Sequence, residues 1–442
     1  MRKIFQITFL VIIILTNVCH ANLVININKK YSRALPILVT GFSHGKYKIL
    51  DKVISGDLKN SDNFQLFPPT AITQNASFDN NFNFTNIKEK GIQYIIIGDG
   101  ETNKQNHDSY NIKFKVINVF NKEVILARIY KNVKNNQFLE LGHVISNSIY
   151  KAILGKKGYF TTKLAYVDVI NPYDIKKAQY NLVVSDYDGN NPQILLSQKR
   201  VPISSPSWSP DGKYIAYVSY YNGRMCIYLV NVRTGQKKLV SNYNGINSSP
   251  AFNPESNALA VALSRNSSSP NTQIYLTHLY KKGVYRQLTN SRGVNTSPSF
   301  SPNGKHIVYT STRDGNPQIF QLTLDSLVSK RLTFDGFQNF DPEYSPNGKE
   351  IYFMHQSKRG GPIGIAKYNL ENGKITTLTS GPVDKSPSVS PNGNMVVYSK
   401  MNKYGGLGLA MVSSSGNTNI NLVKFSSNSN INSPSWSPFF VN

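Results

Sequence analysis

The chain has 442 residues, 40% of them apolar, and carries 49 Lys and Arg against 24 Asp and Glu, a formal net charge of +25. That apolar fraction excludes a disordered chain, and the length exceeds what one ordinary core needs, so more than one domain is expected. The charge alone would suit a polyanion, but the lysines are scattered without a run or a helical stripe, so most of it reads as solvated surface.

Met1-Arg2-Lys3, the apolar run Ile4 to Leu15 and the small-residue end at Ala21 read as a secretory signal, residues 1–21, cut after Ala21. The run is too short to span a bilayer. Thr16 and Val18 fit lipoprotein processing at Cys19 poorly. Cleavage leaves Cys226 as the single cysteine, so no internal disulfide is expected, and export argues against nucleic acid as a partner.

Residues 22–159 follow as a mixed α/β domain. Leu35 to Thr40 and Ile92 to Gly98 read as strands, Tyr47 to Leu58 as an amphipathic helix, and Tyr110 to Phe120 with Val124 to Tyr130 as a hairpin. In Phe138 to Leu154, Leu141, Val144, Ile145, Ile149 and Ile153 recur at helical spacing, with Gly155 placed to end the helix. The Asn-rich stretch Thr73 to Asn86 reads as a loop.

Two motifs here invite chemistry and fall short of it. Gly41-Phe-Ser43-His-Gly45 matches a nucleophile elbow, but the module offers no acid and histidine partnered to Ser43 and too small a sheet for a hydrolase. Asp186-Tyr-Asp188-Gly189-Asn190 resembles a calcium loop, yet Asn191 and Ser197 stand where Gly and Glu are required, so it reads as a hairpin turn. The histidines show no ligand spacing, and neither a metal nor a cofactor is expected.

From residue 160 to 442 one phrase recurs: Ser-Pro, an aromatic or apolar residue two positions on, then Pro-Asp/Asn-Gly. Its markers Pro206, Pro250, Pro298, Pro342, Pro387 and Pro434 are spaced by 44, 48, 44, 45 and 47 residues, the length of a four-stranded propeller blade. Each repeat supplies an inner strand, a tight turn, second and third strands such as Tyr214 to Ser219 and Met225 to Asn231, and a short fourth run such as Gln287-Leu-Thr289 or Arg331-Leu-Thr333. Only one strand fits beyond Pro434, while Leu164 to Ile170, Tyr180 to Ser185 and Gln193 to Ser197 lack an inner strand before them. Joining the two ends completes a sixth blade and removes the open edges. The expected fold is therefore an α/β domain followed by an all-β six-bladed propeller closed by the C-terminal strand.

The near-identical Pro-Asp/Asn-Gly turns occupy one face of such a ring. The opposite face carries loops of varied length and chemistry, Tyr243 to Ser248, Asn290 to Thr296, Gly336 to Phe340, Gly381 to Lys385 and Ser427 to Asn432, with basic residues such as Arg224, Arg265, Arg313, Lys358, Arg359 and Lys403 farther out. Variable loops on a uniform scaffold are the expected binding surface, and the basic rim would suit an acidic partner.

These blades, the small α/β domain and the closing Ser-Pro-Ser-Trp436-Ser-Pro together resemble the TolB family of the periplasmic Tol-Pal system. Leu35-Pro-Ile-Leu-Val39, Gly56-Asp-Leu-Lys-Asn-Ser61, Gly91 to Gly98, Gly142-His143, Leu164-Ala-Tyr-Val167 and Ser185 to Gly189 carry the likeness through the rest of the chain. The resemblance implies a non-enzymatic adaptor that binds the lipoprotein Pal through the channel-mouth face and TolA through its N-terminus, helping the outer membrane follow the dividing cell wall. Similar repeats also gate serine peptidases, which carry a further hydrolase domain, and occur in propeller lectins, which need a repeated ligand pocket.

On the family pattern Thr296 matches a residue at the Pal contact, with Asn247, Asn339 and Asp384 in the equivalent place of other blades. Ile246, Asn295, Phe340, Lys385 and Asn432 complete the expected Pal-binding face, Ile246 standing where better-known members have a His. Asn22-Leu23-Val24-Ile25-Asn26-Ile27-Asn28 looks like the TolA-interacting segment. Its alternating apolar side chains suit an extended peptide added to a sheet edge.

Overall fold

The computed structural model describes residues 34–440, apart from 43–44, 72–77, 79–82, 104–106, 265–270, 281–282 and 424–425. The signal with its cut at Ala21, the segment Asn22–Asn28, Ser43 and Arg265 therefore lie outside the described residues.

The first domain is a five-stranded sheet, built from β1 (Leu35–Thr40), β2 (Phe64–Phe67), β3 (Tyr94–Thr102), β4 (Tyr110–Asn118) and β5 (Glu123–Val133), in the order β2-β1-β3-β4-β5. β1 runs parallel to both neighbours, and β3, β4 and β5 are antiparallel. Alternation decides which side chains face which layer. Ile37 and Val39 of β1 join the core under α1 (Lys48–Asn60) and α3 (Phe138–Leu154), whereas Leu38 turns to Ile87 of α2 (Phe84–Glu89) on the other face. The short α2 begins inside the stretch expected to be loop. Asn83 caps it, its side chain accepting the N–H of Asn86 at 3.3 Å, and buried Ile87 anchors it. Gly155 ends α3 in the left-handed conformation, φ 69°.

Six four-stranded sheets follow and close into a ring. In the last of them the final strand, Ser429–Trp436, pairs antiparallel with β6 (Lys163–Ile170), which continues to β7 (Gln179–Asp186) and β8 (Gln193–Lys199). The architecture is thus a six-bladed β-propeller behind a small α/β domain. The fourth strands sit two residues earlier than the leucine-threonine runs suggested, at Tyr285–Gln287 and Ser329–Arg331. The reason is local. Leu288 and Leu332 are buried between sheets, and the Thr289 and Thr333 hydroxyls, not further fourth-strand carbonyls, accept the N–H groups of Ile274 and Ile319 at 2.9 and 3.0 Å.

The first domain packs on the turn face, above the fifth and sixth blades. Asp62 accepts the hydroxyls of Ser415 and of Thr418 (2.8 Å), Tyr150 meets Asn394, and Asn392 donates to the carbonyl of Lys157 at 3.3 Å. Trp436 joins this contact to ring closure. Its indole N–H donates to Thr162 at 2.8 Å, its backbone N–H to Ser388 at 2.9 Å, and its ring meets Tyr159 edge-on at 5.6 Å. Because Trp436 is 5% exposed, Trp436→Ala should lower the stability of the mature chain by about 3–5 kcal/mol in urea unfolding.

Candidate functional site on the loop face of the propeller

Each inner strand carries a β-bulge at the Ser-Pro step, seen as a register shift against the second strand in all six blades. The bulged residue sits at positive φ every time: Ser205 and Ser249 at 50°, Ser297 at 52°, Asp341 at 57°, Ser386 at 53° and Ser433 at 52°. A left-handed residue other than glycine is uncommon, and six in register mark a repeated device. The bulge turns these residues onto a central channel of about 320 Å³, lined by the Ser-Pro steps of every blade.

The fourth blade breaks the symmetry of this channel. Asp341 stands where the others have Ser, and Glu343 lies beside it. Burial raises the Asp341 carboxyl against hydrogen bonds from Ser297 and Ser386. It also pushes Glu343 up to about 8, despite the Val389 N–H at 2.9 Å and the Ser388 hydroxyl at 3.3 Å on its Oε1.

Strand register corrects the expected equivalence among the candidate residues. Thr296 pairs with Thr310, and the matching positions pair Ser204 with Val218, Ser248 with Ala262, Phe340 with Met354, Lys385 with Ser399 and Asn432 with Val167. Asn247, Asn295, Asn339 and Asp384 lie one residue earlier, so their side chains leave the opposite side of the strand. All four are buried and brace the approach loops from beneath.

Asn247 accepts the Ser241 hydroxyl and the Tyr243 N–H and donates to the Tyr243 carbonyl at 2.9 Å. Asn295 donates to Gln273 at 2.7 Å and to Ser291 at 2.9 Å. Asn339 donates to Gln318 and to the Asp335 carbonyl, both at 2.8 Å, and its Oδ1 lies 2.7 Å from His355 Nδ1. Asp384 accepts the Gly381 N–H at 3.1 Å, while burial raises its carboxyl. Ile246, Thr296, Phe340, Lys385 and Asn432 are half-buried at the mouth of the ring, and the Thr296 and Ser249 hydroxyls are 3.2 Å apart across two blades. Burial pulls the Lys385 ammonium below its ordinary value. The bracing Asn/Asp was readable as a repeated polar residue two before Ser-Pro, and its direction follows from its register against the second strand.

The basic rim is partly committed within the chain. Arg224 donates to Asn244 at 2.7 Å, and Arg313 folds back over Phe320, 4.4 Å from its ring. Lys358 and Arg359 are exposed and have no ion pair among the described residues. Exposed Tyr173, Tyr221, Phe334 and Tyr404 stand between the basic groups.

A ring of six four-stranded sheets, with a second domain docked on the turn face over two blades and braced loops on the opposite face, belongs to the class of β-propellers. Comparison narrows the class. The family model described as the TolB beta propeller domain matches residues 150–440, and that of the TolB amino-terminal domain matches residues 23–125. The Tol-Pal system protein TolB of Francisella tularensis subsp. mediasiatica is 40% identical over 358 residues, 80% of this chain and 81% of the relative. Its counterpart in Ruthia magnifica subsp. Calyptogena magnifica is 32% identical over 98% of this chain and 99% of the relative. The crystal structure of TolB from Acinetobacter baumannii superimposes with a TM-score of 0.82 at 30% identity, covering 92% of this chain and 97% of that one. The chain belongs to the TolB family.

Asn339→Ala removes a buried amide that holds three partners, and should cost about 1–3 kcal/mol in urea unfolding. Thr296→Arg, at the half-open mouth, should leave the midpoint within experimental error in the same assay. Equal losses in the two variants would contradict the separation of bracing from mouth residues.

Proposed function

We propose that this chain is a non-enzymatic periplasmic adaptor, which binds Pal through the loop face of the propeller and TolA through residues 22–28, and so supports outer-membrane invagination during division and envelope integrity. One observation carries the reading. The first domain meets the ring at turn-face residues of the fifth and sixth blades, while the loop-face mouth residues Ile246, Thr296, Phe340, Lys385 and Asn432 keep part of their surface exposed above braced loops. Membership in a family whose relatives are named for the Tol-Pal system supports the choice of partner.

Ile246, Thr296, Phe340, Lys385 and Asn432 would meet Pal at the mouth, while Asn247, Asn295, Asn339 and Asp384 keep the loops in shape for it. Exposed Lys358 and Arg359 would steer an acidic partner, an effect on association rate that salt weakens. The N-terminal segment would pair with TolA by backbone hydrogen bonds, because Asn26 and Asn28 give it no acidic side chain for ionic recognition.

Calorimetry of the mature chain with Pal from the same organism tests this. Binding should be measurable, abolished by Thr296→Arg, and retained after deletion of residues 22–28, which should abolish TolA binding alone. The double variant Lys358→Glu/Arg359→Glu should slow association about tenfold at low salt. No binding by the unaltered chain would refute the reading.

A further inference from the structure

The contact between the two domains contains a buried polar cluster that partner binding on the loop face does not use. Asp57 of α1 and His143 of α3 are each 3% exposed. Gly142 makes their approach possible, since a Cβ there would lie 2.6 Å from Val53 of α1. Asp57 Oδ2 is 2.9 Å from His143 Nδ1, and its Oδ1 accepts the hydroxyl of Tyr187, which belongs to the turn between β7 and β8 of the propeller. On the far side of the imidazole, Nε2 lies 3.7 Å from Asp188 Oδ2 in that same turn and has no hydrogen-bond partner among the described residues.

A neutral imidazole has one N–H and one lone pair. If Nδ1 carries the proton, the Nε2 lone pair points toward the Asp188 carboxylate. If Nε2 carries it, a lone pair faces Asp57 at 2.9 Å. Only the imidazolium offers a donor to both. We infer that His143 is an imidazolium latch between the domains, one N–H held by Asp57 of its own domain and the other directed at Asp188 of the propeller.

The surroundings suit a buried cation. Asp57, Asp188 and Asp186 face it, and Lys163 is the cation beside them, engaged with Asp186. Tyr187 and Tyr159, which complete the wall, are held neutral by burial. Burial pulls His143 down, but the hydrogen bond and charge of Asp57, backed by Asp188 and Asp186, outweigh it and hold the imidazole above its ordinary value. Burial raises Asp57 as well, against the hydrogen bonds from His143 and Tyr187, so the pair keeps its proton to higher pH than a free imidazole would. A divalent cation fits less well, because the two oxygens of Asp186 already hold Lys163 and Asn191.

The direction of the pH effect follows from the raised value. The stabilisation is fully present below the pKa of an exposed imidazole and is lost as pH rises through that of the docked His143. The domains should hold tightly in acid and loosen in alkali, with the apolar contact of Trp436, Tyr159 and Phe160 remaining.

The test is histidine-selective NMR of the full mature chain, assigned with His143→Asn, together with tryptic cleavage of the linker at exposed Lys156 and Lys157, normalised to an unfolded substrate. His143 should titrate above about 6.5 and shift down in Asp188→Asn, a variant of a more exposed residue that keeps the test sound if His143→Asn folds poorly. Linker cleavage should rise about tenfold between roughly pH 6 and pH 9 in the unaltered chain, and be fast and nearly pH-independent in the variants. A His143 that stays neutral, a cleavage profile shared by variants and unaltered chain, or one equivalent of zinc perturbing the His143 signals would each overturn the latch.

Discussion

The antiparallel pairing of the last strand with β6 is the constraint on which the rest of the molecule depends. Without it the three strands β6 to β8 and the lone final strand would each expose an unpaired edge, and unpaired edges invite association with other chains. Closure by strands from opposite ends of the repeat array removes both. It also places Trp436 where its indole N–H meets Thr162 and its backbone N–H meets Ser388, so one residue ties the sixth blade to the fifth and to the linker from the first domain. Ring closure and domain docking therefore share the contacts of Trp436.

The Ser-Pro bulge divides labour between the two faces. On the channel side it presents six residues at positive φ, five serines and Asp341, around a polar passage. Before the bulge, strand alternation separates two neighbouring positions on each inner strand, one buried under the approach loop and one half-buried at the mouth. Asn247, Asn339 and Asp384 at the buried position bind loop backbone and Asn295 binds the Gln273 and Ser291 side chains, so the loop's shape is specified by a residue other than the one at the mouth. That leaves the mouth free to vary, and here it carries Phe340, Lys385 and Asn432 in the register of Thr296.

The ring was legible in the sequence because each blade repeats the same turn chemistry at nearly constant spacing, and the closing strand followed from the unmatched runs at the two ends. What was not legible has specific causes. The fourth strands were misplaced because threonine side chains substitute for backbone pairing at Thr289 and Thr333. The bracing Asn and Asp stand two residues before the Ser-Pro step and Thr296 one before it, so strand alternation sends them to opposite sides; their equivalence fails by one residue of register, which pairing with the second strand makes plain. The cluster of Asp57, His143 and Asp188 was not legible because its members lie far apart in sequence: helix packing within the first domain joins Asp57 to His143, and docking on the propeller adds Asp188. Asp341 and Glu343 come together with the serines of the other blades only in the closed ring, where all line one channel.

The central proposal is that Pal engages the loop face, opposite the turn face on which the first domain docks. Hydrogen exchange of the mature chain with and without Pal tests it most directly, read peptide by peptide around the ring. The account predicts slowed exchange in residues 242–248, 290–296, 334–340 and 380–385, with the turns at 210–213, 302–305 and 346–349 unchanged. Protection confined to those turns, or to the first domain alone, would contradict it.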